Sequence, residues 1–557
     1  MCGIWAAFGD KPCPDAQCWL KKMSGRGPEE SVLKQVAGGL LGFARLAING
    51  LNHGGMQPME NGNLHWVCNG EIYNWRDLSA RYNLVNRSGS DCEILGSLWE
   101  QMGKSGIPYF RSLDGVFAML IVDTTNNTVV AARDPYGVRP LYVGHKRTKP
   151  TSEAGVENEN EYLMFSSETK GLLPFCDVIE PFPPGCYAVY DLKQRKRIAL
   201  EPFHTVPWLK VPFFGPNFLG TPEGVALERT CAAVSHALEA AVRKRMMTER
   251  PVAALLSGGV DSSLIAALVQ KQLVAAKLPP LKTFSIGFEG SSDLAHAQQV
   301  ASFIGSDHYE IVMTPDDFWR VVPDVIRDIE SYDITTVRAS VGNWLVSREI
   351  RRRTDCKVVF NGDGSDEVNG SYLYFYNSPS DEAFESEVER LLRDIHFFDV
   401  LRSDRSISSH GLEARTPFLD KQFVALMRSL ATQWRRPIKG ERCEKWILRK
   451  AFEGSQLLPD SVLWRRKEAF SDGVSGAAKS WYQECKERAA AAVPEGWAEQ
   501  AASIDHLRPS TAEAWYYRSI YREHYGCAGE KAAVPYHWMP KWTEGATDPS
   551  ARTLSIY

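Results

Sequence analysis

The sequence predicts a β-rich amino-terminal domain joined to an α/β domain whose carboxy-terminal part is helical. Three observations carry this. Short apolar runs broken by Gly, Asn, Asp and Pro recur up to about residue 200. From about residue 226, strand-like runs alternate with helical patterns, the mark of a parallel sheet with crossover helices. Between them, Pro202–Pro222 has the Pro- and Gly-rich composition of a linker. The expected division is a first domain over 2–200, a linker over 201–225, a second domain over 226–540 and a tail over 541–557.

In the first domain, Trp66–Tyr73, Gly115–Asp123 and Thr128–Asp134 read as strands between turn residues. Lys146–Glu161 is a polar insert of loop composition and reads as a surface loop. The second domain opens with a helix over Glu228–Met246. There Val234, Leu238 and Val242 line one face, and Arg243, Lys244 and Arg245 sit where the helix dipole favours cations. Val252–Leu256 reads as a strand, followed by a Gly-Gly turn and a helix from Asp261. Leu281–Phe288 and Lys357–Phe360 repeat the strand signal, and the last third is helical and rich in Trp and Tyr.

Composition excludes several function classes. At 557 residues, 44% hydrophobic and 24% charged, the chain is globular and not disordered, collagen-like or repetitive. A net charge of −4 offers no basic excess for nucleic acid or an anionic membrane. The 12 cysteines contain no Cys-x-x-Cys pair, so a disulfide scaffold or zinc ribbon is not expected, and a reducing cytoplasm is. No apolar run approaches the roughly 20 residues of a membrane span, and no secretory leader is expected.

Chemistry concentrates in two places. Cys2, once Met1 is removed, would carry a thiol and a free α-amine on one residue. An amine of pKa about 7.7–8 can take the thiol proton at neutral pH. Arg45 supplies a guanidinium fork for a carboxylate. Asn69 and Gly70 supply a side-chain amide and a backbone N–H, the donors an oxyanion hole needs, and Asp91 supplies a carboxylate for an ammonium. Taken singly, the same residues suit a salt bridge, an Asn-Gly turn and a helix N-cap.

Taken together, Met1–Trp5, Arg26–Pro28, Ala44–Ile48, Asn69–Asn74, Leu113–Ala118 and Arg133–Tyr142 resemble the N-terminal-nucleophile (class II) glutamine amidotransferases. The resemblance implies an α+β N-terminal-nucleophile β-sandwich. In it Cys2 attacks the glutamine amide while Asn69 and Gly70 hold the oxyanion. Glutamine would be bound by Arg45, Leu46, Ala47, Ile48, Asn49, Asn69, Gly70, Glu71 and Asp91, with Arg45 on its carboxylate and Glu71 and Asp91 at its amino end. One departure stands out. The family's His-Arg-Gly-Pro-Asp reads Gly25-Arg26-Gly27-Pro28-Glu29 here, which removes a side chain that packs beside the nucleophile.

The second place is Leu255–Ser263, a strand, a Ser-Gly-Gly turn and a helix start. Glycines allow close backbone approach to a phosphate, and hydroxyls and helix N–H groups donate to it. The Walker A pattern is absent. This segment resembles the PP-loop of ATP pyrophosphatases. With Thr283–Gly287, Tyr332–Ser340, Gly362–Glu367, His410–Arg415, Pro417–Asp420, Arg466–Phe470 and Ala546–Arg552, the whole chain resembles the animal-type glutamine-hydrolysing asparagine synthetases. That implies a PP-loop (adenine nucleotide α-hydrolase-like) second domain with ATP bound by Leu256, Ser257, Gly258, Gly259, Asp261, Ser262, Ser263, Ile286, Asn361 and Gly362. Mg²⁺ would be held by Asp261 and Asp366, and Lys467 would meet the departing phosphates. Asp363 stands where the family has a glutamate base, one methylene shorter. The implied partners are small molecules, namely glutamine or ammonia, aspartate and ATP, and a homodimer is compatible. Two alternatives stay open, a weakened or regulatory homologue and another PP-loop amide-forming ligase. Intact Cys2, Asp261, Asp366 and Lys467 oppose the first, and the retained glutamine-holding set opposes the second.

Overall fold

The computed structural model describes residues 1–11, 13–36, 38–147, 160–205, 208, 212, 214–216, 221–468, 473–475, 479–543 and 548–549. The first half is built on two six-stranded antiparallel sheets. One carries, in order, Val178–Pro181, Tyr142–Arg147, Asn160–Ser166, Gly3–Gly9, Gly39–Arg45 and Glu30–Val36. The other carries Lys196–Pro202, Cys186–Asp191, Thr128–Arg133, Gly115–Asp123, Leu64–Ile72 and Met59–Asn61.

Strand alternation decides which residues share the core of this sandwich. Ile4, Ala6 and Phe8 are buried with Phe43, Val67, Ala118, Leu120 and Phe165. Trp5 and Ala7, on the opposite face, pack instead with Leu20 of the short Ala16–Lys21 helix. Period two places Cys2 on the Ile4 face, packed against that inner core. It likewise sets Asn69 and Glu71 on the Val67 face of Leu64–Ile72, while Trp66, Cys68 and Ile72 bury against the helices Leu95–Gln101 and Gly106–Ser112.

Lys146–Glu161 is not wholly a loop. Its ends extend a hairpin in which Lys146 pairs with Tyr162 and Arg147 with Asn160, and residues 148–159 lie outside the described residues. The proline-rich stretch is also narrower than its composition suggests. Pro202 closes a strand, Phe203 is buried against Phe110 and Phe117, and the next helix has begun by Glu223. That helix, Glu223–Arg245, starts ahead of Glu228, and its first turns already bury Ala226 and pack Leu227 against the core.

The second half holds a five-stranded parallel sheet in the order Asp307–Val312, Lys282–Gly287, Val252–Leu255, Val358–Phe360 and Glu413–Arg415. The chain builds outward from Val252–Leu255 to one side, then returns to build the other. The switch point therefore lies between Val252–Leu255 and Val358–Phe360, where loops leaving neighbouring strand ends open a crevice. The helices Trp481–Ala492 and Ala512–Tyr525 pack with Val322–Ile329 and Ile334–Arg353 around Phe288, Phe318, Trp481, Tyr517 and Tyr521. Among the described residues no helix is long and apolar enough to cross a membrane.

Candidate active site

Cys2 lies just ahead of the strand Gly3–Gly9, and its backbone is fixed from two sides. Its N–H donates to Asn69 Oδ1 at 3.0 Å, and its carbonyl accepts from Arg26 Nε at 2.9 Å. The thiol faces the Leu46 backbone, 3.4 Å from its N and 3.5 Å from its O. Because Asn69 spends its oxygen on Cys2, its Nδ2 is left buried with no hydrogen-bond partner among the described residues. Two N–H donors without an acceptor, beside a thiol, match what a developing oxyanion needs. Gly70 follows on the same strand. Asn69 and Gly70 form no turn, since both pair with the Gly115–Asp123 strand. Burial pushes the Cys2 thiol up to about 11 and pushes the Met1 amine down to about 6.

Of the residues expected to bind glutamine, Leu46 and Asn69 touch Cys2 and the others are tied to neighbouring segments. Arg45 is buried and donates to Asn52 O at 2.9 Å and Gly50 O at 2.5 Å, so its fork is held by a turn. Asn49 Nδ2 donates to Glu71 Oε2 at 2.5 Å. Asp91 turns back onto the strand, its Oδ2 accepting Ile72 N–H at 2.6 Å, and burial raises its carboxyl to about 6. Burial, then repulsion from Asp91, holds Glu71 well above the usual carboxylate range. Sequence reasoning gave Arg415 no role in this pocket. It comes from the second half and stands 3.5 Å from Glu71 Oε2, stacked near Tyr73.

At the switch point the Leu256–Ser263 loop is drawn together by its hydroxyls. Ser257 and Ser262 Oγ lie 3.0 Å apart, and Ser262 Oγ accepts Ser257 N–H at 3.1 Å. Gly258 has φ +72°, and a Cβ there would lie 2.4 Å from His296 Cβ. Leu256 is buried and donates to Phe284 O at 2.8 Å, and Ile286 lies on that neighbouring strand. Two of the residues expected to meet the nucleotide also make contacts within the fold. Ser263 is fully buried with its N–H on Gly259 O, and Asn361 gives its amide to Ser403 Oγ at 2.7 Å. The Ser263 hydroxyl itself is buried without a partner among the described residues, and Asn361 Oδ1 accepts Asp363 N–H at 3.3 Å. Gly362 is where the two loops touch, since a Cβ there would lie 2.9 Å from both Asp261 Cβ and Ser262 N.

Charges bridge this contact. Asp261 Oδ1 accepts from Ser365 Oγ at 2.7 Å. The buried Lys445 ammonium pairs with Asp261 Oδ2 and, at 2.7 Å, with Asp366 Oδ1, while Lys467 lies 2.6 Å from both Asp366 oxygens. Burial opposes ionisation of Asp366, yet these two ammoniums hold its carboxyl far below the usual range. Lys445 had no signal in sequence, being a lone lysine without periodicity. Among the described residues no three metal-ligating side chains gather. Two carboxylates facing one cation nonetheless suit Mg²⁺, which takes one or two carboxylates and completes its shell with substrate phosphates. Asp363, on the same loop, accepts from Arg402 Nη2 at 3.2 Å. Its Oδ2 is buried without a partner among the described residues, and burial with repulsion from Asp399 lifts its carboxyl to about 6. Of the motif at Arg466–Phe470, Ala469 and Phe470 lie outside the described residues.

Comparison with known proteins follows the same division. Residues 1–195 match a family model described as a glutamine amidotransferase domain, and residues 233–385 and 376–544 match one described as asparagine synthase. The chain is similar to proteins named asparagine synthetase [glutamine-hydrolyzing] from Gallus gallus (41% identical over 570 residues), Cricetulus griseus (42% over 585) and Homo sapiens (41% over 577). Each comparison covers 100% of this chain and 99% of the relative.

Proposed function

The chain belongs to the glutamine-hydrolysing asparagine synthetases, and we propose on that premise how its residues divide the reaction. A glutaminase domain over 2–200 releases ammonia from glutamine. A synthetase domain over 226–540, after a joining segment at 201–225 and before a tail at 541–557, uses ATP to convert aspartate to asparagine, with AMP and pyrophosphate as the other products.

Loss of Met1 turns the Cys2 N–H into an amine held by Asn69 Oδ1. A buried thiol near pKa 11 is inert by itself, and this amine takes its proton. The sulfur attacks the glutamine amide carbon, and the oxyanion accepts from Asn69 Nδ2 and Gly70 N–H. Ammonia then leaves with a returned proton, and water cleaves the thioester to glutamate. Arg45, kept in place by the carbonyls of Gly50 and Asn52, turns its remaining N–H groups to the substrate carboxylate, and Glu71 and Asp91 face its ammonium.

In the second domain an aspartate β-carboxylate oxygen attacks the α-phosphorus of ATP, and pyrophosphate leaves. Ammonia adds to the acyl carbon of β-aspartyl-AMP, gives a proton to Asp363, and AMP departs. Lys445 and Lys467 supply positive charge to the phosphates, and such positioning and neutralisation are most of what phosphoryl chemistry requires. Asp261 and Asp366 would hold Mg²⁺, which would neutralise pyrophosphate charge when bound. All 12 cysteines are unpaired thiols, which supports the cytoplasm as compartment.

The observation that carries the proposal is the orphan Asn69 amide beside Cys2. The test is purified protein with ATP, Mg²⁺, aspartate and either glutamine or ammonium, following asparagine, AMP and pyrophosphate. Cys2→Ala should end glutamine use and keep ammonium use. AMP formed without asparagine would overturn the assignment of the second domain.

A further inference from the structure

The segment between the helix Glu223–Arg245 and the strand Val252–Leu255 belongs to the second half but lies on the Ala47–Gly50 turn of the first. Glu249 N–H donates to Ile48 O at 3.0 Å, and Glu249 Oε1 accepts Gly50 N–H at 2.7 Å. Arg250 Nε donates to Ala47 O at 2.9 Å. Its Nη2 reaches Glu29 Oε1 at 2.9 Å, and the other oxygen of Glu29 accepts Ala47 N–H, again at 2.9 Å. Four backbone polar groups of this turn are thus occupied, three of them by the other half and the fourth by a carboxylate that the other half holds. Glu29 spans Arg250 and Ala47 with both oxygens of one side chain.

What hangs on the turn is the glutamine pocket. Gly50 O holds the Arg45 guanidinium at 2.5 Å, Asn49 holds Glu71, and Leu46 borders the Cys2 thiol. Displacing the turn would move the fork that receives the substrate carboxylate. None of the reaction steps above employs Glu249 or Arg250.

We propose that Glu249 and Arg250 are positioning residues for glutamine, so that the glutamine pocket is complete only when the synthetase half is docked against it. The inference rests on Cys2 as the glutaminase nucleophile, and its specific content is a split between two activities. Misplacement of a binding group by a fraction of an ångström weakens the substrate complex that depends on it and leaves an independent site alone.

The full-length double variant Glu249→Ala/Arg250→Ala is compared with wild type for glutamine hydrolysis and for ammonium-dependent asparagine synthesis. Its glutamine KM should rise about tenfold with kcat little changed, and its ammonium-dependent synthesis should stay within about twofold, which also reports a folded synthetase half. Glu249→Gln retains an oxygen acceptor for Gly50 N–H and should restore most of the glutamine KM when compared with Glu249→Ala. An unchanged glutamine KM in the double variant would overturn the proposal. So would a parallel fall of both activities, because that is the mark of a merely structural contact. Wild-type protein that makes asparagine from ammonium but never hydrolyses glutamine would overturn the assignment of Cys2 instead, an outcome distinct from either.

Discussion

Asn69 does two tasks with one amide. Its oxygen fixes the Cys2 nitrogen, and its Nδ2, without a partner among the described residues, is the donor proposed above for the substrate oxyanion. Asn69→Ala should therefore lower kcat for glutamine hydrolysis by on the order of 10²–10³, the cost of losing one oxyanion donor, while ammonium-dependent synthesis is unchanged. Parallel assays of the two activities check this. Asp363 supports a prediction in pH. A base works when deprotonated, and this carboxyl is lifted to about 6 by burial and Asp399. Ammonium-dependent synthesis, expressed per free ammonia, should then fall as pH drops through about 6, not through the ordinary aspartate value near 3.9. The nearby Arg402 guanidinium pulls in the opposite direction. Arg402→Gln should move the midpoint of that pH profile upward, and a midpoint that stays put would detach Arg402 from the step.

Among the elements, strands and loops differ in how they deliver side chains. Alternation along Leu64–Ile72 puts Asn69 and Glu71 on one face, a consequence of period two that needs no knowledge of the fold, and the packing of the two sheets makes it the face where Cys2 lies. The nucleotide loop depends on backbone shape instead. Gly258 adopts φ +72° and abuts the His296 residue of the helix Ser292–Ile304. Gly258→Ala should cost about 1–3 kcal/mol in urea unfolding, the usual strain of a left-handed non-glycine residue, and should also weaken ATP binding in a direct titration. Undiminished stability would mean the loop can relax around a methyl group. The helix Glu223–Arg245 shows a different economy. Its terminal cations answer the dipole in sequence, yet Lys244 and Arg245 are also spent on Asp420 at 2.8 Å each.

Across the whole molecule, the two halves are joined through buried charge. Arg26 of the first half meets Asp404 of the second at 2.7 Å and Glu168 of its own half at 3.2 Å, and Arg405 meets Glu330 within the second half at 2.6 Å. Glu330 also accepts the N–H groups of Thr169 and Lys170 at 2.8 and 2.9 Å. Lys244 ties Asp114 to Asp420. Burial opposes ionisation of these carboxylates, but Lys170, Arg405 and Arg26 hold Glu168 at about 2, and Arg245 and Lys244 hold Asp420 at about 2. The unfolded chain would bind those protons from the ordinary values of 4.5 and 3.8 downward, and the folded chain only near 2. Their contribution is therefore complete above about pH 4.5 and lost as pH falls toward 2. The urea midpoint should decline between pH 5 and 3, and a flat midpoint would mean these pairs do not stabilise the folded chain. Much of this architecture was legible beforehand. The β-rich and α/β halves, the strand carrying Asn69 and the loop at Leu256–Ser263 all follow from local patterns, because hydrophobic period and turn chemistry act within a few residues. Lys445 between Asp261 and Asp366, Arg415 beside Glu71, and the Glu249–Arg250 grip on Ala47–Gly50 were not. Nor were the burial of Ser263 and the commitment of Asn361 to Ser403. By itself the sequence determined which chemical groups are present, a thiol at Cys2 and a Ser-Gly-Gly loop at Leu256–Ser263. Only the tertiary structure decided which charges oppose each other there. Lys445 and Asp261 are 184 positions apart, and a contact over that distance is set by how sheets and helices pack, a property no local pattern encodes.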